Sequence, residues 1–163
     1  MITFIEAAKD QLTLVHKLAY RIWPSTFKDI LSDAQMAYML DWMYSLPSLQ
    51  KQMEEGCYFL LAKDDNNLIG YASYQFNVKE KMTRLHKIYL LPSSQGKGIG
   101  KQMILEIIKR AKENDQDTLQ LNVNRSNKAA LVYAKLGFHI IREEDNDIGH
   151  GYFMNDYVME LNL

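Results

Sequence analysis

Cysteine is nearly missing from this sequence. Cys57 is the only one in 163 residues. That excludes an internal disulfide, and no Cys/His cluster has the spacing of a structural zinc site. No apolar run approaches the roughly 18 residues that a membrane span needs. The start, Met1 to Glu6, lacks the basic stretch and long apolar stretch of a secretory signal. There is no repeat, no low-complexity tract and no linker. An excess of one charge is also lacking: the formal net charge is −1, which suggests neither a nucleic-acid polymer nor a membrane surface as partner. What is present is ordinary, with 47% hydrophobic and 24% charged residues. A chain of this length buries about two-thirds of its unfolded surface and needs no disulfide or metal staple. The expectation is a reduced, cytoplasmic, soluble single domain over residues 1–163, with no metal.

The near-neutral average conceals a segregation. Residues 79–112 hold nine basic side chains and two acidic ones, a net +7, leaving −8 for the rest. A solvated helix face explains most charge runs. This run surrounds a glycine-rich loop.

Hydrophobic spacing organises the rest. Ile2 to Glu6 reads as a strand. Leu14, Val15, Leu18, Ala19 and Ile22 recur at helical spacing, with Pro24 expected to end that helix. Ser32 and Gln35 have capping-box spacing and open a second helix, and Ser48 to Glu55 adds one or two turns. Tyr58 to Lys63 and Leu68 to Phe76 are strands flanking the turn Asp64-Asp65-Asn66-Asn67. Arg84 to Leu91 is a third strand. Residues Ser93 to Gly100 open a long helix carrying Ile99, Met103, Ile104, Ile107, Ile108 and Ala111 on one face. Leu119, Leu121 and Val123 alternate as a strand. Ser126 or Asn127 caps a short helix with Ala129, Val132, Tyr133 and Leu136 inward, and Gly137 ends it. Phe138 to Arg142 and Tyr152 to Leu161 are the last strands. The order β-α-α-β-β-β-α-β-α-β-β is mixed α/β, with a strand–helix–strand crossover implying one parallel pair.

The loop is Gln95-Gly96-Lys97-Gly98-Ile99-Gly100-Lys101, between a strand and a helix. Alternating glycines bend the backbone and expose successive N–H groups, which join the free N–H groups of the helix start and suit a diphosphate. A dinucleotide fingerprint fails on spacing, because Lys101 and Met103 stand where its last glycine belongs. A nucleotide P-loop fails because no Gly-Lys-Ser/Thr follows. A tight turn for close helix–strand packing remains the alternative.

Gln95-Gly96-Lys97-Gly98-Ile99-Gly100 resembles the Gln/Arg-x-x-Gly-x-Gly/Ala loop of the GNAT N-acetyltransferases. Leu85 to Pro92 is similar to their central strand. Asn127, Ala130, Tyr133, Gly137 and Phe138 resemble their second signature, Asn-x-x-Ala-x-x-x-Tyr followed by Gly-Phe. The resemblance covers nearly the whole chain. It implies a GNAT fold, with a mixed central sheet and splayed parallel middle strands. It also implies transfer of an acetyl group from acetyl-CoA, as co-substrate, to a primary amine of a small molecule.

By the same resemblance, Gln95, Gly96, Lys97, Gly98, Ile99, Gly100 and Lys101 hold the pyrophosphate through backbone N–H groups. Ile88, Tyr89 and Leu90 pair with the pantetheine arm as strand addition, and a bulge near these three frees an N–H for the thioester carbonyl. Asn127 is a coenzyme contact, a helix cap, or both. Tyr133 is the family's general acid, or a packed core tyrosine; a phenol near pKa 10 can protonate a departing thiolate without itself being ionised. Where many members carry a strand glutamate, this chain has Leu85 and Arg84. The base falls to His86, or to a water chain leading to Tyr74, Glu80 or an acidic group near the carboxy terminus. The acceptor is expected between the first helices and the last strands, near Trp23, Phe27, Tyr38, Trp42 and Tyr44 on one side and Asp145 to Phe153, with Tyr152, on the other. Glu143, Glu144, Asp145 and Asp147 are candidate partners for a cationic amine. The carboxy-terminal run Gly151 to Met159 resembles the polyamine branch, so a spermidine-like amine is an alternative acceptor, as is a peptide or protein amine. A non-catalytic acyl-CoA sensor is the alternative of another class. Dimers are common in the family, so a homodimer is expected as an option.

Overall fold

The computed structural model describes residues 1–163. The chain runs β1 (Ile2–Glu6), α1 (Leu12–Phe27), α2 (Asp33–Tyr44), α3 (Leu46–Glu54), β2 (Tyr58–Asp64), β3 (Asn67–Lys79), β4 (Met82–Leu90), α4 (Ile99–Glu113), β5 (Thr118–Asn124), α5 (Ala129–Lys135), β6 (His139–Gly149) and β7 (Tyr152–Asn162). One seven-stranded sheet has the order β1-β2-β3-β4-β5-β7-β6. Only β4 and β5 are parallel, joined by the α4 crossover.

The sheet separates two cores. On one face, α1 to α3 pack Leu18, Ile22, Trp23, Met39 and Tyr44 against Phe59, Leu61 and Tyr71. On the other, Met103, Ile104 and Ile107 of α4 and Tyr133 of α5 meet Leu60, Ala72, Leu85 and Leu121. Alternation along each strand supplies both layers, since successive side chains point to opposite faces.

Three local expectations are corrected. Helix α1 does not stop at Pro24 but continues to Phe27. The interior proline costs about 3 kcal/mol. Ending the helix there would withdraw Phe27 and disturb Trp23, whose buried side chains stabilise by about 1.5–3 kcal/mol each. Second, Ser32 Oγ accepts from Gln35 N–H at 3.1 Å, but the Gln35 side chain does not return the bond as a capping box would. It donates instead to Phe153 O at 2.9 Å, tying α2 to β7. Third, Val132 is not inward. It is 49% exposed, because only one face of the seven-residue α5 meets the sheet.

Strands β6 and β7 form a longer hairpin than expected, turning at His150-Gly151. Its tip is latched to α2: Tyr38 Oη donates to Ile148 O at 2.7 Å, and the Tyr38 ring packs on His150 and Tyr152. Gly149 has φ +90°, and a Cβ there would lie 3.0 Å from Tyr38 Oη. No helix is long and apolar enough to cross a membrane.

Candidate active site

The parallel pairing of β4 and β5 runs from Met82↔Thr118 to Leu85↔Leu121 and then stops. Beyond it the strands diverge, leaving Ile88 to Leu90 and Asn122 to Asn124 without each other as partners. A cavity of about 570 Å³ opens in this gap, running from the glycine loop to the underside of α1 and α2.

At one end, Gly96 and Gly98 have φ of +75° and +78° with open space around both. Conformation, not packing, therefore demands glycine there. The first backbone bond of α4 is Gln102 N–H to Gly98 O, so the N–H groups from Gly96 to Lys101 find no acceptor in the protein. This row of free donors at a helix start fits a phosphate group. The Gln95 side chain donates to Leu90 O at 3.1 Å and fixes the loop to the end of β4.

Tyr133 lines the cavity, buried, with its ring 5.8 Å from that of Phe138. Its hydroxyl makes no hydrogen bond to the protein. Burial pushes the phenol above its ordinary value, so it is a protonated donor at neutral pH. Asn127 borders the same space, and its Oδ1 accepts from Ala129 N–H at 2.9 Å. That bond joins it to the first residue of α5 from one position ahead of the helix's flanking residue, Lys128.

The bulge in β4 lies earlier than expected. Ser73 pairs with Lys87 and Tyr74 with Leu85, so His86 is the extra residue and Ile88 to Leu90 continue in regular register. His86 Nε2 lies 3.0 Å from Gln75 Oε1, while Gln75 Nε2 donates to Glu55 O at 3.0 Å. The amide orientation makes His86 Nε2 the protonated nitrogen and leaves Nδ1 as the acceptor. The imidazole reaches the open cavity, yet the cleft walls and the charges of Lys87 and Arg84 lower its pKa to about 4.

The bulge also turns Lys87 to the α1–α3 face. Its Nζ donates to Gln52 Oε1 at 2.7 Å and stands 5.4 Å over the Tyr44 ring. Burial lowers its pKa to about 8, with Cys57 opposing the shift. Trp23 Nε1 donates to Tyr71 Oη at 3.2 Å, which donates to Tyr44 Oη at 2.8 Å. Tyr89 packs on Trp23 and Phe27. These aromatics form the apolar wall under α1.

Of the residues singled out in the sequence, Trp23, Phe27, His86, Ile88, Tyr89, Leu90, Gln95, Gly96, Gly98, Ile99, Gly100, Lys101, Asn127 and Tyr133 line this cavity. Two do not. Lys97, between two left-handed glycines, faces a shallow groove with Arg21 and Asn66. Tyr152 shares a face of β7 with Met154 and Asp156 but lies nearer the tip, where Tyr38 packs on it. None of Glu143, Glu144, Asp145 and Asp147 lines the cavity. Arg125 holds Glu143 and Asp145, Arg142 holds Glu144, and Asp147 accepts from Gly149 N–H. Lys87, Asn122, Asn124 and Met154 are cavity residues to which the sequence did not point, and Asp156 is one of the acidic groups near the carboxy terminus that it offered without singling any out. No group of three or more His, Cys, Asp or Glu side chains is arranged to hold a metal ion.

The profile of the Acetyltransferase (GNAT) family matches residues 16–138. The chain is 31% identical, over 78% of its length and 81% of the relative's, to the [ribosomal protein bS18]-alanine N-acetyltransferase of Haemophilus influenzae. It is 29% identical to the spermidine N(1)-acetyltransferase of Thermoplasma acidophilum, over 93% of this chain and 91% of the other. The crystal structure of the PaiA N-acetyltransferase of Thermoplasma acidophilum in complex with coenzyme A superposes with a TM-score of 0.83. That match has 25% identity and covers 100% of this chain and 99% of that one. The splayed parallel pair, the free-donor glycine loop and these matches together establish that the chain is an N-acetyltransferase of the GNAT family.

Proposed function

We propose that this protein transfers the acetyl group of acetyl-CoA to the primary amine of a small molecule by direct attack. The observation that carries the reading is the continuity of one cavity, from the unpaired N–H groups of the glycine loop to the unbonded hydroxyl of Tyr133. Acetyl-CoA, when bound, supplies an activated thioester. Gly96 to Lys101 hold its diphosphate, with the Lys101 charge beside them. Ile88, Tyr89 and Leu90 on one side and Asn122 to Asn124 on the other receive the pantetheine amides on their free backbone groups. A backbone N–H of this stretch of β4 polarises the acetyl carbonyl. Tyr133 protonates the departing thiolate, whose basicity is close to that of a cysteine, about 8.5.

His86 remains near the reacting centre, but a pKa of about 4 makes it a neutral hydrogen-bonding group and a poor sink for an amine proton. Likeness to the spermidine enzyme supports a polyamine as the second acceptor reading, and likeness to the ribosomal-protein enzyme supports a peptide amine. Free-thiol release from acetyl-CoA across polyamines, amino acids, aminoglycosides and peptides tests the reading. Release with at least one primary amine is expected. Thermal stabilisation by NAD and none by acetyl-CoA would sink the assignment.

A further inference from the structure

Asp156 is the only aspartate or glutamate on the wall of the cavity. It is 2% exposed. Its Oδ2 accepts from Asn122 Nδ2 at 3.3 Å, and its Oδ1 is buried with no donor in the protein. An arginine stands close but is occupied elsewhere: the Arg84 guanidinium is donated to the side-chain oxygens of Gln120 and Asn122. Through Asn122, Arg84 orients the carboxylate without neutralising it by direct contact. An ionised carboxylate with an orphaned buried oxygen is costly, by about 1–3 kcal/mol or more for the missing bond alone. Such groups concentrate where a ligand supplies the donor. Asp156 lines the cavity, whose wall also includes the apolar side chains of Met154, Met39, Met43 and Phe27.

We propose that Asp156 seats the acceptor amine and takes its proton, and that, as the only carboxylate of the cavity, it selects an acceptor with a single ammonium group. This rests on the transferase reading above. The substrate ammonium donates to Oδ1. One N–H proton passes to the carboxylate, leaving a neutral amine and a carboxylic acid. The nitrogen lone pair then forms the C–N bond to the acetyl carbon of acetyl-CoA, and the C–S bond breaks. The thiolate takes the Tyr133 proton, the second nitrogen proton restores the phenol, and Asp156 releases its proton to solvent. The sum is an amide, a free thiol and one proton.

The groups facing Asp156 bear on its titration. Burial is the largest influence and raises its pKa, Glu144 of β6 raises it further, and Asn122, Arg84 and Asn146 oppose the rise. Tyr89 of β4 is close enough to feel its charge. A base stronger than an ordinary carboxylate is the outcome, whereas burial weakens His86. The cavity offers a second ammonium no further acid, and the other charged side chains on its lining, Lys87, Lys101 and Lys128, are cationic.

Two arms test the proposal. In protein labelled with ¹³Cγ-aspartate, the Asp156 resonance is identified by its loss in Asp156→Asn. It should shift saturably with n-butylammonium chloride, and a shift no larger than that given by sodium chloride at equal ionic strength overturns the proposal. The second arm measures thiol release from acetyl-CoA with n-butylamine and with spermidine. Asp156→Asn should lower kcat/KM for n-butylamine by about 100-fold or more at neutral pH, the range of general-base effects. The loss should shrink as pH rises toward the amine's own pKa, near 10.4 for an alkyl ammonium such as lysine's. Asp156→Glu should recover part of the rate, and coenzyme A affinity should stay within about twofold. Loss of less than about threefold in Asp156→Asn, or a deficit constant with pH, overturns the base role. A kcat/KM for spermidine more than about tenfold above n-butylamine overturns the single-charge selectivity. If neither amine releases thiol with the wild-type protein, the transferase reading for small alkylamines fails, and the resonance arm still decides Asp156.

Discussion

At the scale of single residues, burial pushes three of the cavity's titratable groups toward their neutral forms. Tyr133 is held protonated by burial. Tyr133→Phe should lower kcat by about 100-fold or more while leaving acetyl-CoA affinity within about twofold; calorimetric titration alongside turnover separates the two, and equal losses in both would remove the acid role. His86 is neutral above about pH 5 because its pKa is near 4. His86→Ala should therefore leave the shape of the kcat/KM profile unchanged between about pH 6 and 9, and loss of a limb in that window would restore His86 as the base. Lys87 is the third. Its folded-state pKa, about 8, lies below the 10.5 of a free lysine. The unfolded chain binds more protons in that window, so the lysine's contribution to stability rises as pH climbs from about 8 to 10.5. Lys87→Met should raise or preserve Tm at pH 7, with the advantage over wild type shrinking above pH 8. A Tm drop at pH 7 would mean that the Gln52 bond and the Tyr44 contact outweigh the burial of the charge.

Elements set these positions, and here the sequence was legible in some places and opaque in others. The glycine loop could be read because left-handed backbone leaves a signature that few residues besides glycine satisfy. Gly98→Ala should cost about 1–2 kcal/mol from its φ of +78° without any clash, since no atom lies within 4 Å. The protein should fold and bind coenzyme A more weakly, as thermal melts with and without coenzyme would record. Tyr133 could be read because Asn127, Ala130 and Gly137 bracket it on one short helix. Lys87 could not. Period-two alternation assigns it to the same face as Leu85, and the one-residue bulge at His86 reverses that parity. Asp156 was hidden because one acid in an alternating strand looks no different in sequence from the half-buried Glu160 of the same strand or the exposed Asp145 of β6. Only the register Asn124↔Asp156 brings it to the gap. Tyr152 was misassigned because the hairpin is longer than its residues suggest, and Tyr38 occupies its tip. Tyr38→Phe should free that tip: hydrogen exchange at Ile148 to Tyr152 should rise, with the rest of the sheet unchanged.

On the scale of the whole molecule, the charge segregation read from the sequence coincides with the division of labour. The basic segment 79–112 supplies β4, the glycine loop and α4, the side expected to meet a coenzyme with several phosphates. Attraction of this kind is screened over about 8 Å at physiological salt. Raising salt from about 0.05 to 0.5 M should weaken coenzyme A binding severalfold and leave n-butylamine affinity nearly unchanged, because Asp156 is buried and screened less. Equal salt effects on both would detach the charge pattern from the donor site.

The seam between β4 and β5 has one more implication. Strands β1 to β4 and strands β5 to β7 are knit together across the sheet by four register pairs only, Met82↔Thr118 through Leu85↔Leu121. That is a short mechanical joint in a seven-stranded sheet, with the open jaws of the cavity beyond it. A ligand bridging both jaws acts as a splint. Pulled from its termini in an optical trap, the protein should yield first at this joint, and coenzyme A should raise the yield force more than an equally tight ligand gripping one jaw alone.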